Sequence, residues 1–461
     1  MTSIVVLGGG PAGYVAALRA AQLGAGVTLV EAREIGGTCL NRGCIPTKAL
    51  VAAAERLRAA RSAAEFGVLL GEPRVDVAAL LARKDAVTAQ QRAGVERLLK
   101  GRRVEVVAGA GRLLDAHTGR VEQPSGERRD LGADAVIVAT GSRPALPSLF
   151  DVTDARVVTS DGLLASRELP ESLAIVGGGV IGCEFASIYA ELGTRVTVVE
   201  MLDRLLPLED RRASAALTRA FARAGVESRV GTRVERLDLS RPGRVSLELG
   251  EDAAVEASLV LVSIGRAPLS RGIGLEEAGV ELDGQGFVVT DRGQRTSLPG
   301  VFAAGDVAGP PLLAHWAYRQ GAAAAENAAT GADVAVDPRF VPNCIFSHPE
   351  VASFGTSEDQ ARAENLPIEV AQVRLNANSK AVIEGEAEGY IRIVARADDR
   401  RVIGASLVGP HATELVHELV LAARAGLSID DVADTIHAHP TLAEGVGEAA
   451  LGAVGRGMHT L

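Results

Sequence analysis

Residues 4–31 read IVVLGGGPAGYVAALRAAQLGAGVTLVE, and residues 173–200 read LAIVGGGVIGCEFASIYAELGTRVTVVE. The second segment follows the first at an offset of 169 residues (173 − 4), and the two align without a gap. Each copy has an apolar run typical of a buried strand, then Gly-x-Gly-x-x-Gly, then a helix-length segment that stops at a glycine. A second apolar run and a glutamate complete the copy. The sequence therefore predicts the same strand–helix–strand unit twice.

The glycines and the closing acid of each copy have the spacing of a dinucleotide-binding unit. The matched positions are Gly8 and Gly177, Gly10 and Gly179, Gly13 and Gly182, and Glu31 and Glu200. The glycines allow a tight turn and a close approach to a pyrophosphate, whose charge meets free N–H groups at a helix N-terminus. The acid accepts hydrogen bonds from a ribose. A glycine turn without a ligand is the alternative, but two matched copies weigh against it. We therefore expect two dinucleotide sites, an arrangement suited to hydride transfer between two cofactors.

The rest of the chain is organised around these two units. The pattern predicts an α/β protein with a first dinucleotide domain that begins at 1–148, a second at 149–270, and an α+β domain at 336–461. In the last segment, EGYIRIVAR and VIGASLVG alternate like strands. The stretch at 412–426 places its apolar residues on one helical face and stops at a glycine.

Composition excludes several classes of partner. Lys plus Arg is 48 and Asp plus Glu is 58, so the formal net charge is 48 − 58 = −10, and aromatic residues make up only 3%. Neither value suits a nucleic-acid surface. No stretch reaches the roughly 18 consecutive apolar residues of a membrane span, and the N-terminus lacks the basic region of a signal peptide. Four cysteines make no secreted disulfide framework for 461 residues. We therefore expect a cytoplasmic protein.

Two of the four cysteines, Cys39 and Cys44, lie within GGTCLNRGCIPTK at 36–48. Half of a zinc site is one interpretation, but no second Cys/His cluster lies nearby, so no metal site is predicted. On a straight helix, residues at this spacing have Cα atoms about 8–9 Å apart, beyond the roughly 7 Å limit for a disulfide. A bridge would need a bent segment, which Gly43 and Pro46 would permit. The residues alone leave packed thiols and a reducible disulfide open.

The motifs together resemble those of the class I pyridine nucleotide–disulfide oxidoreductases, in that family's order and over essentially the whole chain. The resemblance rests on GGTCLNRGCIPTK, the paired glycine motifs, ATG at 139–141, VFAAGDV at 301–307 and HAHPTLAE at 437–444. SHPEVASFG (347–355) and LVGPHATELVHE (407–418) are similar to the branch that oxidises dihydrolipoyl groups. The resemblance implies two Rossmann-like dinucleotide-binding domains, a C-terminal α+β dimerisation domain and a homodimer. It also assigns 271–335 to the first domain, because Asp306 would bond the ribityl chain of a flavin there.

The resemblance also implies the cofactors, FAD bound tightly without a covalent link and NAD. FAD would be held by Gly8, Gly10, Gly13, Glu31, Lys48, Thr140, Gly141 and Asp306, and NAD by Gly177, Gly179, Gly182 and Glu200. A carboxylate at position 200 suits a free ribose 2′-hydroxyl and repels a 2′-phosphate, which favours NAD over NADP. Arg204 lies close in sequence, so NADP stays open.

The implied chemistry runs through the cysteines. Cys39 and Cys44 would form a disulfide that a dihydrolipoyl dithiol reduces, with Cys39 facing substrate and Cys44 facing flavin. His439 would be the base for the substrate thiols, and Glu444 would orient it. Lys48 and Glu184 would pair beside the flavin, where a fixed cation favours the reduced form.

The implied partners are lipoyl domains of a 2-oxoacid dehydrogenase complex or a lipoylated glycine-cleavage protein. Two alternatives stay open, an NAD(P)H-dependent reductase of another small disulfide and an NADH-sensing flavoprotein without turnover. The segment AHWAYRQG (314–321) departs from the pattern, because Trp316 and Tyr318 stand where smaller or charged residues are expected. Cys183 and Cys344 are expected to be packing residues.

Overall fold

The structure, a computed structural model, describes residues 2–250 and 253–459. The strands are β1 (Ser3–Leu7), β2 (Gly26–Glu31), β3 (Glu105–Ala108), β4 (Ala110–Asp115), β5 (Thr118–Glu122), β6 (Arg128–Gly132), β7 (Ala135–Val138), β8 (Ser142–Pro144), β9 (Val157–Thr159), β10 (Ser172–Val176), β11 (Arg195–Val199), β12 (Glu227–Arg229), β13 (Arg236–Asp238), β14 (Val245–Glu248), β15 (Ala254–Ala257), β16 (Leu259–Val262), β17 (Arg266–Pro268), β18 (Val301–Ala303), β19 (Asn343–Ile345), β20 (Glu350–Gly355), β21 (Ile368–Arg374), β22 (Tyr390–Arg396) and β23 (Val402–Gly409). The helices are α1 (Pro11–Gln22), α2 (Gly37–Arg42), α3 (Cys44–Ser62), α4 (Val77–Gly101), α5 (Ser160–Ala165), α6 (Val180–Glu191), α7 (Arg211–Arg223), α8 (Leu275–Ala278), α9 (Ala314–Thr330), α10 (Glu358–Ala363), α11 (Ser379–Ile383), α12 (Ala412–Ala425), α13 (Ile429–Asp434) and α14 (Glu444–Ala453).

The first dinucleotide unit is built on a parallel sheet in the order β18-β7-β1-β2-β3. β1 and β7 are continuous apolar runs because helices and a second layer of strands cover both faces of the sheet. β18 pairs with β7, so the chain returns to this sheet after the second unit is complete. The first glycine turn follows β1 and leads directly into α1.

The second unit repeats the first in the order β12-β11-β10-β16-β9, again parallel. Its register is the same as well. Ser3 lies opposite Gly26 in the first unit, and Ser172 lies opposite Arg195 in the second, which is the same pair moved by 169 residues. The repeated sequence thus specifies a repeated strand pairing, not only a repeated turn.

The C-terminal part is an antiparallel sheet in the order β19-β20-β23-β22-β21. Helices α12, α13 and α14 cover one face and share a core with it. The helix expected at 412–426 is confirmed as α12, which ends at Gly426 in the left-handed conformation, with φ 71°. The α/β class with two dinucleotide units and an α+β C-terminal domain is confirmed. Within the two described ranges, no helix is both long and apolar enough to cross a membrane.

Candidate active site

The two cysteines lie on either side of a break in the helical chain. Cys39 is in α2 and Cys44 is the first residue of α3, and Gly43 between them has φ −146° and ψ −111°. The bend that a disulfide between these residues would require is therefore present. The start of α2 rests on the first glycine turn, because a Cβ on Gly37 would lie 2.6 Å from the Cα of Gly10. The cysteine pair is thereby fixed beside the first dinucleotide unit.

Cys39 and Cys44 are free cysteines in the structure, which corresponds to the reduced form of the pair. The neighbouring Cys39 thiol, followed by the charge of Lys48, lowers the pKa of Cys44, although burial opposes this. The neighbouring Cys44 thiol, followed by burial, raises the pKa of Cys39. A place at the N-terminus of α3 also suits a thiolate at Cys44.

Lys48 lies one helical turn after Cys44, and its Nζ is 2.9 Å from both carboxylate oxygens of Glu184. Glu184 is buried in α6 of the second unit. The backbone N–H of Phe346 donates to the same carboxylate at 3.0 Å, and Lys48 Nζ lies 4.5 Å from the centre of the Phe346 ring. The expected pair is therefore present, and it joins both dinucleotide units to the C-terminal part. Phe346 is a member that sequence reasoning missed, because a backbone N–H has no sequence signal.

The first and third glycines of each motif are required by the backbone. Gly8 and Gly177 have φ +106° and +109°, and a Cβ on either would overlap the end of a neighbouring strand. A Cβ on Gly13 or Gly182 would overlap the carbonyl oxygen of Gly8 or Gly177, respectively. Because these contacts recur in both units, the two turns have the same geometry.

The middle glycines, by contrast, leave space for a ligand. Gly179 has no atom within 4 Å of a Cβ position, and Gly10 has only the Cα of Gly37, at 3.9 Å. Gly177, Gly179 and Glu200 line one cleft of about 1690 Å³. An open backbone at a helix N-terminus, within a long cleft, fits the pyrophosphate of a dinucleotide.

The closing acids are held in matching ways. Glu31 accepts hydrogen bonds from the N–H groups of Gly9 at 2.6 Å and Arg33 at 2.7 Å. Glu200 accepts from Gly178 at 2.6 Å and Leu202 at 2.7 Å. Each carboxylate is thus fixed at the edge of its glycine turn, where a ribose would lie.

The remaining residues expected near the flavin come from two turns. Thr140 Oγ1 donates to the Leu269 carbonyl at 2.7 Å. Gly141 has φ +75° and no atom within 4 Å of a Cβ position. Asp306 accepts from the Ser142 hydroxyl, and its carboxylate lies 3.7 Å from Arg266 Nε. The polar groups and the open glycine fit the ribityl and ring portions of FAD.

His439 and Glu444 form a second centre at the start of α14. His439 Nδ1 lies 2.9 Å from Glu444 Oε1, and the N–H of Thr441 donates to the other oxygen at 2.8 Å. The Thr441 bond, followed by the His439 bond, lowers the pKa of Glu444. The imidazole is 71% exposed. α14 packs mainly on β21, β22 and α13, whereas α2 packs mainly on α3, α4 and α5. The structure therefore does not bring this base to the cysteines within one chain.

The two cysteines that were expected to be packing residues lie away from the Cys39–Cys44 pair and from His439. Cys183 is fully buried, and Cys344 is half-buried with its sulfur 3.8 Å from the Thr413 carbonyl. Trp316 is buried against Ala323 and Val336 in a small separate core.

Comparison with known proteins gives the family. Residues 2–321 match the family described as pyridine nucleotide-disulphide oxidoreductase, and residues 341–450 match its dimerisation domain. The chain belongs to the pyridine nucleotide–disulphide oxidoreductase family. Flavoprotein disulfide oxidoreductases of this family use FAD and NAD(H), which suits the two glycine turns.

Curated relatives in this family match over the full chain. A dihydrolipoyl dehydrogenase of Chlamydia muridarum is 41% identical over 459 residues, covering 99% of this chain and 97% of the relative. A dihydrolipoyl dehydrogenase of Bacillus subtilis is 40% identical over 468 residues, covering 99% and 98%.

Solved structures agree with this assignment. LpdA from Mycobacterium tuberculosis superposes with a TM-score of 0.92 at 32% identity, covering 98% of this chain and 99% of that one. The HOCl-induced flavoprotein disulfide reductase RclA from Escherichia coli has a TM-score of 0.87 at 27% identity, covering 98% and 99%.

Proposed function

We propose that this disulfide oxidoreductase oxidises dihydrolipoyl groups to lipoyl groups, with NAD+ as the final acceptor. The observation that carries the proposal is the placement of Cys39 and Cys44 on either side of the bend at Gly43, beside the first glycine turn. The names of the full-length relatives support the substrate class. Glu200 supports NAD over NADP, because its carboxylate would repel a 2′-phosphate.

The substrate half of the reaction needs only sulfur chemistry. A thiolate of the dihydrolipoyl group attacks Cys39 in a Cys39–Cys44 disulfide, and Cys44 leaves as a thiolate. The second substrate thiolate attacks the substrate sulfur of this mixed disulfide and releases Cys39, closing the lipoyl ring. The dithiol loses two electrons, and the cysteine pair gains them. The lowered pKa of Cys44 favours the first step, because a more acidic thiol leaves faster.

The two dinucleotides would be held by the residues that form the glycine turns and their neighbours. These are Gly8, Gly10, Gly13, Glu31, Lys48, Thr140, Gly141 and Asp306 for FAD, and Gly177, Gly179, Gly182 and Glu200 for NAD. Bound FAD supplies a two-electron carrier between the reduced cysteines and NAD+. Glu184 holds Lys48 in place, so its positive charge stays one turn from Cys44.

Proton removal from the substrate thiols is assigned to His439, with Glu444 fixing the ring through Nδ1. The exposed imidazole and the match to a dimerisation domain support a homodimer in which the partner subunit's His439 serves the cysteines of the first subunit. We further propose that the dithiol arrives on a lipoyl domain of a 2-oxoacid dehydrogenase complex or on a lipoylated glycine-cleavage protein, in the cytoplasm.

The test is NADH formation from dihydrolipoamide and NAD+, followed at 340 nm with the FAD-loaded enzyme. Cys39→Ser and Cys44→Ser should each lower the rate at least a thousandfold, because neither can form the bridge. Cys344→Ser is the matched control and should keep the wild-type rate. A Cys39→Ser enzyme that still forms NADH would refute the mechanism. A wild-type enzyme that reduces glutathione disulfide with NADPH, but has no activity with dihydrolipoamide, would refute the proposed substrate class.

A further inference from the structure

Two tyrosines form a pair that has no part in the chemistry above. Tyr14 is on α1 and Tyr318 is on α9. Their ring centroids are 5.9 Å apart with planes inclined by 59°, so the two side chains pack against each other. The two residues are remote in sequence, so only the fold brings them together.

Close helix packing fixes the pair. α9 crosses α1 so tightly that a Cβ on Gly321 would overlap the Ala12 carbonyl. Tyr318 precedes Gly321 by three residues, and Tyr14 follows Ala12 by two. Because the backbones touch at this crossing, the two rings have little freedom to separate.

The pair lies beside the cysteines. The N–H of Tyr14 donates to the Gly10 carbonyl at 2.9 Å, one turn away, and the start of α2 rests on Gly10. Burial raises the pKa of Tyr14, and the nearby Cys39 adds to this effect. Burial, then the neighbouring Tyr14 and both cysteines, raise the pKa of Tyr318. The pair therefore lies next to the start of α2, the helix that carries Cys39.

Tyr318 does not fill a core. It is 37% exposed, whereas Trp316, two residues earlier on the same helix, is 7% exposed and packs in its own cluster. An exposed aromatic ring beside a reactive sulfur offers a rigid, flat, uncharged surface. The ring surface suits the slender aliphatic arm of a dihydrolipoyl group. The ring itself carries no positive charge that could pair with the carboxylates of a peptide disulfide.

We propose that Tyr318, packed against Tyr14, is a specificity-determining residue that forms one wall of the approach to Cys39. The Tyr318 ring packs against the aliphatic arm of a dithiol. It also narrows the path to Cys39, which excludes broad, charged disulfides. This proposal deepens the proposed function and rests on it.

The test compares Tyr318→Ala and Tyr318→Phe in the FAD-loaded enzyme, with the flavin spectrum as the check on folding. The first readout is the KM for dihydrolipoamide. The second is the rate at which the reduced enzyme reacts with the broad, charged disulfide 5,5′-dithiobis(2-nitrobenzoate). Tyr318→Ala should raise KM about tenfold with a smaller change in kcat, and should speed the second reaction about tenfold. Tyr318→Phe keeps the ring and should stay within about threefold of wild type on both.

Unchanged KM and unchanged reaction with the broad disulfide in Tyr318→Ala would overturn the proposal. So would equal effects of Ala and Phe, since the hydroxyl rather than the ring would then be responsible. If Tyr318→Ala loses its flavin, Tyr318→Leu provides the same comparison with a smaller loss of volume. A wild-type enzyme without dihydrolipoamide activity would instead refute the proposed function, while the second readout would still test the wall.

Discussion

Replacing Lys48 by methionine leaves the Glu184 carboxylate buried without its cation. Glu184 is 5% exposed, and its remaining partner in the structure is the N–H of Phe346 at 3.0 Å. Methionine keeps most of the volume and the apolar stem, so the loss is chiefly electrostatic. We expect Lys48→Met to destabilise the fold, and Glu184→Gln in the same chain to restore much of the loss.

The magnitude follows from the geometry. Opposite unit charges about 4 Å apart interact with roughly 4 kcal/mol at an effective dielectric constant near 20. The Lys48 side chain is 32% exposed, so solvent screens part of this interaction. We take about 2 kcal/mol for the pair and about 0.5 kcal/mol for the contact with the Phe346 ring. Lys48→Met should therefore lower the free energy of unfolding by about 2.5 kcal/mol, and Glu184→Gln should lower it by about 1 kcal/mol. The double variant should lose about 1.5 kcal/mol, so the coupling energy between the two side chains is about 2 kcal/mol.

The assay is urea unfolding of the FAD-loaded enzyme at fixed protein and FAD concentrations, followed by the fluorescence of Trp316, the single tryptophan. The double-variant cycle isolates the pair from other effects of each substitution. The reasoning would be refuted if the double variant lost as much stability as the two single variants together, within about 0.5 kcal/mol. The two side chains would then act independently.

Three further predictions concern separate parts of the site. In the reduced enzyme, the lowered pKa of Cys44 keeps its thiolate at pH values where an ordinary thiol is already protonated. Alkylation of Cys44 by iodoacetamide should therefore be lost only as the pH falls through the lowered pKa of Cys44. Gly179→Ala should fold normally but bind NADH at least tenfold more weakly in a fluorescence titration, whereas Gly182→Ala should fail to fold because its Cβ overlaps backbone. Glu444→Gln should lower kcat for dihydrolipoamide roughly tenfold, as the amide stabilises a charged His439 less well; an unchanged kcat would exclude this role.

The sequence predicts the dinucleotide units well because their determinants are local. The spacing of Gly8, Gly13 and Glu31 recurs at an offset of 169, and even the register of the paired strands follows it. The bend between Cys39 and Cys44 is predictable only once a bridge is assumed, since the rise of a straight helix keeps the two residues too far apart for a disulfide.

Other features depend on contacts that no local pattern encodes. The hydrogen bond from Phe346 to Glu184 comes from backbone, and the pairing of Tyr14 with Tyr318 depends on how α1 and α9 cross. Sequence spacing shows that Cys39 and Cys44 can approach each other, but not whether their sulfur atoms are bonded, and the structure has them as free thiols.

A count of thiols tests the central claim most directly. The chain has four cysteines. The purified oxidised enzyme, unfolded in guanidinium chloride without reductant, should show about two thiols per chain, those of Cys183 and Cys344. One equivalent of dihydrolipoamide is added without oxygen or NAD+ before unfolding, and small molecules are then removed. This treatment should raise the count to about four thiols per chain. If the enzyme shows four thiols both before and after dihydrolipoamide is added, yet still forms NADH, electron transfer through a Cys39–Cys44 disulfide would be contradicted.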